Sequence, residues 1–341
     1  MPLKFKKIFP LPIVLLVLIG CESGRSGPDL SEVFGQAEEM ENLKSLIVYK
    51  DGDILREGYY HGGHADSLHD VRSVTKSVMA TLVGIAIDRS VISSENQKLG
   101  VLLSSLAESM DSAKADITLA QVLSMTSGLD GNELADAFEY NNWVNAPDQL
   151  TYTINKTLVH TPGTYFAYSS GVAHLTSAIL TQTTGWSTLQ YAMQHLFTPM
   201  GIGWPKWSTD KRGIYNGGAG LKITPQDMLK IGKLYLNNGR FNGERILSES
   251  WIEKATTIQI ALSSNIMSFA QGYGYYWWIG NINSRDYFFA NGWGGQFIVV
   301  VPELELIVVA TNHWSGVSTA TAQQQWYDTM NLIMNEIVAA Y

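Results

Sequence analysis

A hydroxyl and an amine three residues apart stand at Ser73 and Lys76, within Ser73-Val74-Thr75-Lys76. At the start of a helix the two side chains share one face with Cβ atoms about 5–6 Å apart, which lets the amine touch the hydroxyl. That is the chemistry of an activated nucleophile, a serine whose proton is drawn off as it attacks a carbonyl carbon. A serine at a helix N-terminus also keeps its backbone N–H free to stabilise an oxyanion, at the positive end of the helix dipole. The spacing alone is a weak signal, because on the order of one such pair arises by chance in a chain of this length. Ser208-Thr209-Asp210-Lys211 supplies the comparison: it has the same spacing, but no apolar helical run follows, so it reads as a surface loop. Behind Ser73, by contrast, Val74, Val78, Leu82, Ile85 and Ile87 give the stretch from about Ser73 to Arg89 apolar faces. Lys76 is therefore expected close to the core.

The elements that must position this pair follow from local patterns. Leu43–Lys50 and Asp53–Tyr60 are β-prone runs joined at Asp51-Gly52, a strong hairpin signal. From about Ile92 to Tyr215 the chain reads as helices and loops, with a short helix starting at Thr118 and further ones over Gly171–Thr181 and Ser187–Leu196. Thr224-Pro225-Gln226-Asp227 is a helix start, with Thr as the cap, Pro in the first turn and an acid at the third position. Gly217-Gly218-Ala219-Gly220 before it lacks the Gly-Lys-Ser/Thr of a phosphate loop and reads as a turn. Strands return at Tyr273–Ile279, Arg285–Phe289, Gln296–Val301 and Leu304–Thr311, and a helix over about Ser318–Ala339 closes the chain. Strands at both ends predict an α/β fold whose antiparallel sheet is built from the two termini and flanked by helices. An all-helical lobe, about residues 92–215, is inserted.

Four segments in order resemble the serine β-lactamase and penicillin-recognising superfamily. Val71-Arg72-Ser73-Val74-Thr75-Lys76-Ser77 is similar to its nucleophile motif, and Ile117-Thr118 through Ser127-Gly128-Leu129 to its "ITxxxLLxHTSGL" element. Pro162-Gly163-Thr164-Tyr165-Phe166-Ala167-Tyr168-Ser169-Ser170-Gly171 resembles its "PGxxFxYSN" element, and Gly292-Trp293-Gly294-Gly295-Gln296 stands where a third motif belongs. The resemblance implies a β-lactamase/transpeptidase-like fold and a serine hydrolase that needs no cofactor or metal. It makes Tyr168 the general base for Ser73 and the acid for the leaving group. An ammonium about 4 Å away at an effective dielectric of about 20 contributes about 4 kcal/mol, enough to draw a phenol from about 10 toward about 7. The backbone N–H of Trp293 would complete the oxyanion hole with that of Ser73. Ser170, Gly292, Gly294 and, in the helical lobe, Tyr140 would line the substrate.

Two departures shape the expected substrate. The amide of the tyrosine motif is replaced by the hydroxyl of Ser170, and Gly292 is preceded by Ala290-Asn291 where penicillin-recognising members carry Lys or His. Both move the resemblance toward the esterase and 6-aminohexanoate-oligomer hydrolase branch. They point to uncharged or weakly apolar acyl groups, in a small-molecule ester or amide. A D,D-peptidase or β-lactamase stays open, as does a catalytically silent lipoprotein that binds cell-wall fragments.

The N-terminus speaks to location. Lys4, Lys6 and Lys7 precede an apolar run from Ile8 to Ile19 and then Gly20-Cys21. The run is shorter than the roughly 20 residues that span a bilayer. Leu18-Ile19-Gly20-Cys21 looks like a bacterial lipobox, which would make residues 1–20 a lipoprotein signal, Cys21 the lipidated residue, and 21–33 a linker ahead of one hydrolase domain, 34–341. The expected location is the bacterial cell envelope, lipid-anchored on the periplasmic face of the outer membrane. Cys21 is the only cysteine, so no disulfide forms within the chain. Loss of the three lysines with the signal takes the formal charge from −8 to −11, a balance that argues against a nucleic-acid partner. His61-Gly62-Gly63-His64 with His69 fixes no ligand geometry and reads as a loop, and His174 reads as structural.

Overall fold

A computed structural model describes residues 28–341, so the signal, the lipobox and Cys21 lie outside the described residues. The core is an eight-stranded sheet. From one edge its strands are Asp53–Tyr59, Leu43–Lys50, Leu306–Asn312, Gln296–Val301, Arg285–Gly292, Trp278–Ile282, Gly272–Tyr273 and Ile260–Ala261, antiparallel throughout. The N-terminal hairpin thus pairs directly with the last strand, with Ile47 opposite Val309 and Val48 opposite Val308. The central strands Gln296–Val301 and Leu306–Asn312 are buried along their whole length, which matches their continuous apolar runs.

Helices cover both faces. The Pro225–Leu236 helix, capped as expected by the Thr224 hydroxyl on the Asp227 N–H, lies so close that a side chain on Gly232 would sit 2.8 Å from Ile307. Alternation along the strands puts Phe297 on the opposite face, where the ring of Trp326 from the Thr319–Asn331 helix stands 5.6 Å away. The Val74–Asp88 helix begins where expected, with every residue from Val74 to Ala86 buried.

The inserted segment carries the expected helices at Leu119–Leu123, Ser170–Thr184 and Thr188–Ala192, and adds Glu139–Asn145 and Gln149–Ile154. It is not purely helical, for Lys206–Trp207 pairs with Leu221–Ile223, which pairs in turn with His69–Asp70. This small three-stranded sheet ties the lobe to the approach of the nucleophile. Two further boundaries differ from the sequence reading. A helix over Ser31–Glu39 takes in the last three residues of the segment expected as linker, 21–33. The Tyr273–Ile279 run is broken into two antiparallel strands by Tyr276, held at φ 60°. Tertiary hydrogen bonds impose that turn: the Ser77 hydroxyl donates to the Tyr276 carbonyl at 2.7 Å, and the Tyr276 N–H donates to Leu123 at 3.1 Å.

Candidate active site

Ser73 stands at the N-terminus of its helix immediately after Arg72, which is held at φ 50°, a left-handed conformation that costs a non-glycine residue about 1–3 kcal/mol. The surroundings enforce the bend. The Val71 N–H donates to Leu221, the Arg72 N–H to Asp70 Oδ1 at 3.0 Å, and the Thr75 hydroxyl to the Arg72 carbonyl at 2.6 Å. Among the hydrogen bonds of the described residues the backbone N–H of Ser73 is not a donor, which leaves it free for an incoming oxygen.

Lys76 is 1% exposed, and its ammonium donates three hydrogen bonds: to Ser73 Oγ at 2.9 Å, to Ser170 Oγ at 2.9 Å and to the Gly218 carbonyl at 2.7 Å. All three protons are used, so its buried charge is satisfied. Burial, opposed by the Glu133 carboxylate and aided by Arg72, brings its pKa from 10.5 down to about 8. At pH 7 about one molecule in ten then carries the neutral amine, against about one in three thousand for a free lysine. The Gly-rich turn before the Pro225 helix acquires a purpose here. A side chain at Gly217 would meet the Ala173 carbonyl at 2.7 Å and one at Gly218 would meet Ser170 at 2.7 Å, so only glycines let this loop lie against the Ser170 helix and present its carbonyl to Lys76.

Ser170, expected to line the substrate, is buried and bonded to both Lys76 and Glu133. Its hydroxyl accepts from Lys76 and donates to Glu133 Oε2 at 3.0 Å, while its N–H donates to Glu133 Oε1. Glu133 also donates its own N–H to the Tyr168 carbonyl at 2.8 Å, so it grips the tyrosine motif on two sides. Sequence reasoning missed Glu133. Its place just after the Ser127-Gly128-Leu129 element, in Asp130-Gly131-Asn132-Glu133, is the only signal it offers, and no spacing ties it to Lys76 or Ser170.

Tyr168 is buried in an aromatic cage, stacked on Trp278 at 5.6 Å and edge-on to Tyr273. Desolvation raises its pKa, with hydrogen bonding to Ser73 pulling the other way. The expectation that Lys76 would draw this phenol toward neutrality is therefore corrected. Lys76 Nζ lies over the face of the ring, 4.7 Å from its centroid, and the apolar cage penalises a phenolate more than nearby positive charge favours it. Lys76 is the group of the two whose basic form is within reach at neutral pH.

The third motif closes the site from the sheet. A side chain on Gly292 would sit 2.3 Å from the Val71 carbonyl, so the end of the Arg285–Gly292 strand lies directly against the loop that carries the nucleophile. Gln296 fixes the following turn by exchanging hydrogen bonds with the Asn312 backbone at 3.0 and 3.1 Å. The Trp293 N–H is not a donor among the described residues, and its indole is 40% exposed. Gly294 does not fit the substrate role expected of it. It turns toward the C-terminal helix, where Gln325 donates to its carbonyl at 2.7 Å and Trp314 would crowd any side chain.

Tyr140 is half-buried beside the Arg72 guanidinium, which lies 5.2 Å above its ring. His174 is buried and structural, with Nε2 donating to Asp210 at 3.0 Å and Nδ1 accepting from the Gly217 N–H at 3.2 Å. It thereby supports the loop that binds Lys76. The second Ser/Lys pair forms a loop as expected: among the described residues Lys211 donates to the Asn145 and Ala146 carbonyls, the latter at 3.1 Å, and not to Ser208.

With this geometry in hand, comparison defines the class. The Beta-lactamase family model matches residues 43–326, and the chain belongs to that family. It is a serine hydrolase of the amidase/esterase type. The chain is similar to the 6-aminohexanoate-dimer hydrolase of Paenarthrobacter ureafaciens, 25% identical over 333 residues that cover 92% of this chain and 81% of that protein. Its fold is shared with the octameric penicillin-binding protein homologue from Pyrococcus abyssi, at TM-score 0.70 and 18% identity over 90% of this chain and 78% of that one. The penicillin binding protein from Bacillus halodurans aligns at TM-score 0.68 and 17% identity, over 89% of this chain and 100% of that one.

Proposed function

We propose that the chain cleaves an ester or amide through an acyl-enzyme on Ser73, and that Lys76 in its neutral form takes the Ser73 proton. The observation that carries this reading is the 2.9 Å contact between Lys76 Nζ and Ser73 Oγ in an amine whose pKa is brought to about 8. Neutral Lys76 keeps two protons for Gly218 and Ser170 and turns its lone pair to the Ser73 hydroxyl. The tetrahedral oxyanion then sits between the free N–H groups of Ser73 and Trp293. Tyr168, which holds its proton, hands one to the leaving group and recovers it from Lys76. Water enters by the reverse path and frees the acid.

The similarity to a 6-aminohexanoate-dimer hydrolase supports an amide among the substrates. Action on a penicillin-like substrate has less support. Ala290 is a buried strand residue opposite Ile298, and Arg285 is turned away to the Tyr341 carbonyl. A silent binder would not require the Ser73–Lys76 contact.

The test is intact-mass spectrometry after exposure to a fluorophosphonate. A single adduct that disappears in Ser73→Ala is expected, and an adduct that survives the substitution would overturn the assignment. For location the proposal remains a lipid anchor at Cys21 in the bacterial envelope, so that Cys21→Ser releases the protein from membrane fractions or leaves its signal uncut. Normal processing and membrane retention of that variant would remove the anchor from the reading.

A further inference from the structure

Arg72 presents a positive charge beside the nucleophile that no carboxylate among the described residues meets in a direct ion pair. Among the described residues it forms no ion pair, and its Nε is buried with no acceptor. Its guanidinium is held between two rings, 4.3 Å from Trp314 and 5.2 Å from Tyr140. Cation–π contacts of this kind fix the position of a cation without discharging it. A polar cavity of about 270 Å³ opens at this point, with Arg72, Tyr140, Gln149, Lys211 and Asn216 in its wall. Its rim is continuous with the catalytic loops, since Arg72 directly precedes Ser73 and Asn216 Oδ1 accepts the N–H groups of Gly218 and Ala219 beside Lys76. The carboxylates in the same wall are engaged. Asp70 Oδ1 accepts the Arg72 N–H, and Asp210 is bonded by His174 and by the N–H groups of Arg212 and Ile214.

A fixed guanidinium whose Nε has no partner, while Tyr140 takes one of its other donors, matches a carboxylate better than any neutral group. We infer that this cavity receives a free carboxylate of the substrate, with Arg72 as the specificity-determining residue. The substrate class is then a linear ester or amide that carries a carboxylate a few bonds from the scissile carbonyl. The inference rests on the hydrolase reading above and reverses the expectation of uncharged acyl groups. That expectation followed from the missing cation at the third motif, whereas Arg72 brings its charge from the nucleophile's own loop.

Two alkyl fluorophosphonates of equal chain length, one ending in a carboxylate and one in a primary amide, separate the two readings. Their second-order rates of labelling are read by intact mass on wild type, Ser73→Ala, Arg72→Gln and Arg72→Lys. The carboxylate probe is expected to label wild type at least about tenfold faster, the scale of a lost charged hydrogen bond. Arg72→Gln should bring the ratio of the two rates on that variant to about one, whatever change both rates share through Lys76, and Arg72→Lys should keep part of the preference. Equal rates for both probes in wild type, or a preference that survives Arg72→Gln, would overturn the inference and leave the nucleophile standing. No adduct at Ser73 with either probe would overturn the hydrolase reading itself.

Discussion

Glu133 reaches Lys76 only through Ser170, whose hydroxyl accepts from the ammonium at 2.9 Å and donates to the carboxylate at 3.0 Å. The relay lets a negative charge act on the base without forming an ion pair with it, and Glu133 raises the Lys76 pKa that burial lowers. Glu133→Gln keeps the size and an acceptor for the Ser170 N–H but removes the charge. The rising limb of kcat/KM against pH, expected near 8 in wild type as Lys76 loses its proton, should therefore move to lower pH. A limb that stays in place or moves upward would show that Glu133 does not tune Lys76.

The same profile discriminates between the two candidate bases. Burial raises the Tyr168 pKa, so a phenolate base would give activity that climbs only above pH 10. With Lys76 as base and Tyr168 as the proton donor, Lys76→Ala and Tyr168→Phe should each lower turnover at least about 10²-fold with little change in Tm. Near-normal rates in either variant would contradict its role.

Gly292→Ala tests the joint between the sheet and the nucleophile loop. The added carbon would stand 2.3 Å from the Val71 carbonyl, and relief requires the strand end to withdraw. The strain should cost about 1–3 kcal/mol of stability. Turnover should fall more than tenfold, because the Trp293 N–H is carried away from the developing oxyanion. A variant as active as wild type would mean that this amide does not stabilise the transition state.

His174→Ala should act on stability first. It leaves the buried Asp210 with its two backbone donors but without its ring partner, a loss of about 3 kcal/mol and a fall in Tm of several degrees. Against the push of burial, hydrogen bonds from His174 and from the Ile214 and Arg212 N–H groups hold the Asp210 carboxyl below its ordinary 3.8. Its contribution is therefore full above that value and is lost as pH falls through the lowered folded pKa. Wild type and variant should converge in Tm as acid is added. A difference that widens in acid would contradict this account.

Features written in local chemistry were legible in the sequence. The hairpin at Asp51-Gly52, the cap at Thr224 and the helix behind Ser73 depend on neighbours in the chain, and each lies within a residue or so of its expected bounds. Features set by distant partners were not. The turn at Tyr276 depends on Ser77 and Leu123, so a run of five aromatic residues read as one strand. Glu133 meets Ser170 from 37 positions away, and the charge on Arg72 matters only because Trp314 and Tyr140 fold around it. The phenol of Tyr168 was misjudged for the same reason, since charge proximity was visible in the motifs and the aromatic cage was not.

The sheet joins residues from opposite ends of the chain, and Ser45 and Thr311 share a buried hydrogen bond across 266 positions. Closing so long a loop precedes any reward from the pairing, which makes this a high-contact-order topology and a slow one to complete. The N-terminal hairpin has no neighbour on its inner edge until Leu306–Asn312 has been synthesised. A chain still being synthesised therefore cannot finish its central sheet, and a truncation before residue 306 would leave two bare strand edges open to aggregation.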